Sequence, residues 1–203
     1  IDVPPILEWR ARLDGKVVWM NLCPQKNYGE DCWIALTDTG EMAAISMQGD
    51  LRWRKWFRCR FSASPVIGRG AFGDAHIMAI SSRGEVLTCA PDGELLWRER
   101  VLRSASGVTP VLARLNVFPG DEIVVAGEDG SIVALLSNGA ELWRYEGETR
   151  PYCIQAIRRW RSDYDAILVA LGDTQFQLLG LSRYGKEMFR TMLDFAPLHL
   201  HVE

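Results

Sequence analysis

Apolar residues along this chain come in short runs bounded by Gly, Pro, Asn and Asp, with a turn signal every eight to twelve residues. No window of a dozen residues carries an apolar period of 3.6. Alternation or an unbroken β-branched run fits each segment instead, so strands are predicted throughout and helices nowhere. The predicted strands fall into groups of four. A first group covers 16–22, 31–37, 41–47 and 50–57. A second starts at Pro65 and continues with 75–81, 85–89 and 94–101; a third starts at Pro110 and continues with 121–126, 131–136 and 140–145. The fourth starts at Pro151 and continues with 166–171, 175–181 and 186–192. Pro65, Pro110, Pro151 and Pro197 each head the inner strand of a unit, where a missing N–H is tolerated.

A repeat underlies the grouping. Gly49, Gly93, Gly139 and Gly185 stand four residues before Trp53, Trp97, Trp143 and Phe189, and an arginine follows each ring: Arg54, Arg98, Arg144 and Arg190. Trp9-Arg10 is a fifth copy of the ending, so the rings lie 44, 44, 46 and 46 residues apart. A fixed period of that size predicts an all-β fold, a β-propeller of four-stranded antiparallel blades. The blades are expected at 16–57, 65–101, 110–145 and 151–192 of one domain spanning 1–203, with strands of incomplete blades at 1–12 and 197–203. Each sheet needs neighbours on both faces. The finished ring is therefore expected to hold about seven or eight blades, completed by a second copy, another protein or a removed segment, with a self-closed ring of four or five as the alternative.

The repeat has an internal physical reason. A two-residue primed turn at Asn138-Gly139 places Ala134 across from Trp143. The same count places Ala44 across from Trp53, Thr88 across from Trp97 and Gly180 across from Phe189. Small residues opposite large rings leave hollows in which the rings lie flat while the next sheet approaches at ~10 Å.

Composition narrows the class without choosing a function. The 203 residues are 48% apolar and 24% charged, an ordinary globular balance, and no apolar run of membrane-spanning length occurs. The net charge of −3 argues against a general nucleic-acid binder. The sequence opens without an initiator Met or a leader, which reads as a processed, truncated or excised end. Cys23, Cys32, Cys59, Cys89 and Cys153 are odd in number and lack zinc-knuckle or redox spacing, so they read as packed thiols and favour a reducing, cytoplasmic compartment.

The glycine-to-tryptophan ending after a strand with a small residue resembles the tryptophan-docking repeat of quinoprotein-like (PQQ-like) propellers. Asn116-Val-Phe-Pro-Gly-Asp-Glu-Ile-Val-Val-Ala-Gly127 and Phe72-Gly-Asp-Ala-His-Ile-Met-Ala-Ile80 are similar to the FG-GAP (integrin-like) repeat. The resemblance implies the propeller fold. It does not carry PQQ or calcium over: no two cysteines are adjacent, and the loops at 26–29, 69–73 and 116–120 hold no acid where a hard cation needs several oxygens. No cofactor is expected.

Three groups of residues remain as candidate sites. The stretch from Arg52 to Phe61 places Arg52, Arg54, Trp56, Arg58 and Arg60 on one strand face, a composition suited to an anionic partner or single-stranded nucleic acid, or else a solvated edge that resists aggregation. His199, His201 and Glu203 share a face with metal-ligand spacing at the chain end. The paired acids Glu30-Asp31 and Asp121-Glu122 recur at matching places before strands, which reads as structural. The leading expectation is a non-catalytic module that binds a protein partner. The alternatives are the propeller portion of a PQQ/calcium-type oxidoreductase, or a carbohydrate-binding propeller using Trp19, Trp56 or Trp160.

Overall fold

The computed structural model describes residues 10–24, 30–158, 163–172 and 175–194. Trp9, Trp160, Pro197, His199, His201 and Glu203 lie outside the described residues, as do most of the strands expected at 1–12 and 197–203. The described chain forms sixteen strands and no helix. They make four antiparallel sheets of four, each in chain order from inner to outer strand. Blade 1 holds β1 (Val17–Cys23), β2 (Cys32–Thr37), β3 (Glu41–Ser46) and β4 (Leu51–Trp56). Blade 2 holds β5 (Val66–Arg69), β6 (Ala75–Ile80), β7 (Glu85–Cys89) and β8 (Leu95–Arg100). Blade 3 holds β9 (Val111–Ala113), β10 (Glu122–Ala126), β11 (Ile132–Leu135) and β12 (Glu141–Tyr145). Blade 4 holds β13 (Pro151–Ile157), β14 (Ala166–Gly172), β15 (Phe176–Leu181) and β16 (Glu187–Leu193).

The middle strands are the reason the sheets stack. Strands β2, β3, β10, β11 and β14 are buried along almost their whole length, so both faces of a blade are apolar and each needs a neighbour. Among the described residues the core is accordingly three seams. Ile34, Leu36 and Met42 meet Ile77, Leu87 and Cys89 between blades 1 and 2. Met78, Ile80 and Val86 meet Ile123, Val125 and Leu135 between blades 2 and 3. Val124, Ile132 and Ala134 meet Ile167, Val169 and Leu179 between blades 3 and 4.

The hairpins that carry the repeat differ from the two-residue turn in one respect. The Leu136 carbonyl accepts from the Gly139 N–H at 2.9 Å, and the Leu136 N–H donates to the Ala140 carbonyl at 2.8 Å. That is a three-residue loop with Gly139 at φ 87°, a conformation that glycine adopts without a Cβ penalty. A longer loop alone would move each ring off its small partner. An extra residue in the outer strand restores the register: Leu135 pairs with Glu141 and Ala134 with Trp143, leaving Leu142 as a bulge. Arg52, Leu96 and Met188 are the equivalent extra residues in the other blades. The pairs Ala44–Trp53, Thr88–Trp97 and Gly180–Phe189 therefore stand as expected.

Candidate interaction surfaces

Small cross-strand partners explain only half of what the rings do. Each indole also reaches forward onto the hairpin glycine of the next blade. A Cβ placed on Gly93 would fall 2.8 Å from the Trp53 ring, one on Gly139 2.9 Å from Trp97, and one on Gly185 2.6 Å from Trp143. Each indole N–H then donates to a carbonyl two residues before that glycine: Trp53 to Pro91 at 2.8 Å, Trp97 to Ser137 at 2.9 Å, Trp143 to Arg183 at 2.9 Å. Glycine is thus required twice, by its positive φ and by the ring lying on it.

The arginine after each ring works in the opposite direction. The Arg98 guanidinium donates to the Phe57 carbonyl at the end of blade 1, and that of Arg144 to the Val101 carbonyl at the end of blade 2, each at 2.9 Å. Arg190 donates to the Tyr145 hydroxyl of blade 3 at 2.5 Å. One Trp-Arg dipeptide therefore ties its blade to both neighbours. A third tie lies near the inner strands. The Asp121 carboxylate accepts from the Arg69 N–H at 2.9 Å while the Asp121 N–H donates to the Arg69 carbonyl at 2.8 Å. Asp165 makes the same reciprocal pair with Arg114, both bonds at 2.8 Å. Asp121 and Asp165, each just before the second strand of its blade, thus form inter-blade clasps. Glu122, next to Asp121, is buried, which pushes its carboxyl above the usual range, against the Leu115 N–H that donates to it at 2.6 Å.

Blade 4 carries the forward half of the seam with nothing on it among the described residues. Phe189 lies against Gly180, is 37% exposed, and belongs to the last described strand. Leu178 and Phe176, two and four residues before Gly180 on the same face of β15, are half-buried, and the Phe176 ring lies tilted at 59° against that of Tyr152, itself exposed, with centroids 5.7 Å apart.

The Arg52–Arg60 stretch is only partly one surface. β4 ends at Trp56, Arg52 is the bulge residue, and Arg58 has a φ of 53°, so the expected single strand face is interrupted at both ends. Arg52 donates to the Glu30 carbonyl at 2.7 Å and pairs with its carboxylate at 3.3 Å. Arg54 is the blade 1 copy of the backward arginine; it pairs with Asp14 at 3.4 Å and lies 5.4 Å from the Trp56 ring. Trp56, Arg58 and Arg60 are exposed, as is Trp19 on β1. The alternate residues Phe57 and Phe61 turn inward and pack edge to face at 6.3 Å.

Cys59, Cys89 and Cys153 are free thiols. Burial pushes Cys89 up to about 12 and Cys59 up to about 11, the latter against the opposing charge of Arg98. Thiolate is the reactive form. At pH 8 both thiols are expected to label with a maleimide at least about tenfold more slowly in the native protein than in urea, as followed by mass spectrometry. Native labelling of Cys89 at the unfolded rate would show that the blade 1–blade 2 seam opens readily.

A family model described as outer membrane protein assembly factor BamB (PQQ_2) matches residues 8–163. No curated protein matches the chain. Among solved structures it is similar to BamB from Moraxella catarrhalis, with a TM-score of 0.64 at 18% identity over 92% of this chain and 53% of that one. It is also similar to BBS1N in complex with ARL6DN (TM-score 0.60, 13% identity, 91% of this chain and 67% of that one). A third is the WD40 domain of Neurospora crassa Pan2 (TM-score 0.61, 13% identity, 87% and 50%). The chain thus spans about half the length of the BamB structure it matches. These similarities carry the propeller fold and the PQQ-like likeness.

Proposed function

We propose that this chain, which belongs to the PQQ_2 family described as outer membrane protein assembly factor BamB, is a non-catalytic propeller segment that works as a protein-interaction scaffold, its ring completed by further blades. One observation carries the reading. Each described seam closes with a ring on a hairpin glycine, whereas Phe189 presents its ring with no described blade beyond it. Such a face buries apolar area only when another sheet covers it, so it favours association. The family description names an assembly factor, and the BBS1N structure is of a complex with ARL6DN, which supports the same reading. The exposed Trp56, Arg58 and Arg60 offer a second contact area with anchor-type side chains.

Leu178→Glu tests this. On an open face the charge stays hydrated, so the melting temperature of the isolated chain is expected to move by no more than about 2 °C. Association seen by light scattering at about 100 µM is expected to fall. A strict monomer whose melt collapses on this substitution would identify a self-closed ring and overturn the reading.

A further inference from the structure

One position of the repeat breaks its own rule, and a cleft lies where it does. Glu41, Glu85 and Gln177 occupy equivalent places, opposite Trp56, Arg100 and Met192 on the neighbouring strand. Each turns an oxygen toward the backward arginine of its blade: Glu41 to Arg54 at 4.0 Å, Glu85 to Arg98 at 2.6 Å, Gln177 to Arg190 at 2.8 Å. Blade 3 has Ser131 at this place. Its hydroxyl is too short to follow and donates instead to Asp129 at 2.6 Å. A cleft of about 460 Å³ opens there, lined by Arg100, Arg103, Arg144, Asp129, Ser131 and Glu146 among others.

The charges in the cleft are unevenly satisfied. Arg144 is occupied by Glu141 at 2.6 Å and by the Val101 carbonyl, with Glu146 at 3.9 Å. Asp129 is held below the usual carboxylate range by its bonds to Ser131 and is committed to them. Arg100 donates only to the Arg103 carbonyl, at 3.2 Å. Among the described residues neither Arg100 nor Arg103 has a carboxylate within ion-pair distance, and both are exposed. Arg100 and Arg103 line one cleft in which the nearest carboxylate, Asp129, is already bonded to Ser131, and such a pair of guanidiniums forms a receptor for a planar anion.

We propose that the cleft at the blade 2–blade 3 seam binds a carboxylate from outside the chain, in the place that Glu85 fills from within at the preceding seam. Arg100 and Arg103 supply the donors, and Ser131 supplies the room. The site does not rest on the ring being completed, because it lies at a seam inside the described chain.

The experiment titrates the chain by calorimetry with a capped octaglutamate peptide, its octaglutamine counterpart and glutarate. Octaglutamate or glutarate is expected to bind at concentrations up to about 1 mM, and octaglutamine not to bind. Arg103→Ser is expected to weaken binding by about tenfold or more, as loss of one charge-assisted pair does. Ser131→Glu places the missing carboxylate inside the cleft and is expected to abolish binding, while Lys186→Ser, at an exposed position on the blade 4 hairpin, leaves it unchanged. Peptide binding far tighter than glutarate binding assigns the carboxylate to a partner protein; equal binding assigns it to a small acid. No binding of either, or affinity untouched by both Arg103→Ser and Ser131→Glu, overturns the proposal. Arg103 is exposed, so its variant reads the site even if Ser131→Glu does not fold.

Discussion

Gly139→Ala is expected to lower the melting temperature by about 4–16 °C, from a cost of about 2–4 kcal/mol in a chain of this size. Two penalties combine. A non-glycine residue at φ 87° is strained, and its Cβ would lie 2.9 Å from the Trp97 ring. The ring cannot retreat freely, because its N–H is fixed to the Ser137 carbonyl and Thr88 backs it across the strand. Gly73→Ala separates the two terms. Gly73 has a φ of 80°, yet a Cβ there meets nothing within 4 Å, so only the strain of about 1–2 kcal/mol remains. Equal losses in the two variants would show that docking on glycine contributes nothing.

Trp143→Ala and Phe189→Ala are expected to differ by several-fold in cost, although the two rings hold the same place in the repeat. Trp143 lies between blades 3 and 4, half-buried, on Gly185 and bonded to Arg183. Removing it leaves a cavity in a closed seam, at about 2–4 kcal/mol. Phe189 faces no described blade, so its removal is expected to cost less than about 1 kcal/mol in the isolated chain. Trp143→Phe falls between, losing the indole hydrogen bond at about 1 kcal/mol. Chemical denaturation of the three variants measures this order. A Phe189→Ala loss as large as that of Trp143→Ala would mean that blade 4 is already covered.

The docking of each indole on the glycine of the next blade also explains why the repeat was readable at all. Whatever lies at a seam must match on both sides, so the period of the rings and the period of the glycines are locked together. That coupling left its mark on the text as Gly-x-x-x-Trp-Arg. The individual ties left weaker marks. The reciprocal bonds of Asp121 with Arg69 and Asp165 with Arg114 join residues 52 and 51 positions apart. A lone aspartate before a strand carries no hint of its direction. The same holds for Arg98 and Arg144: their recurrence was visible, but their targets are backbone carbonyls, which any sequence supplies.

By itself the sequence determined the four-strand grouping of the described blades and the small residue opposite each ring. Those follow from local alternation and from a repeat that each blade must satisfy alone. Only the tertiary structure decided that the rings serve the following blade, that the arginines reach to the preceding one, and that a bulge in each of the four described outer strands corrects a longer turn. It alone revealed the cleft beside Ser131, because a missing side chain becomes a site only when neighbouring blades bring Arg100 and Arg103 to its edge. Contacts between blades depend on how sheets stack in space, and strand alternation specifies only which face a residue takes.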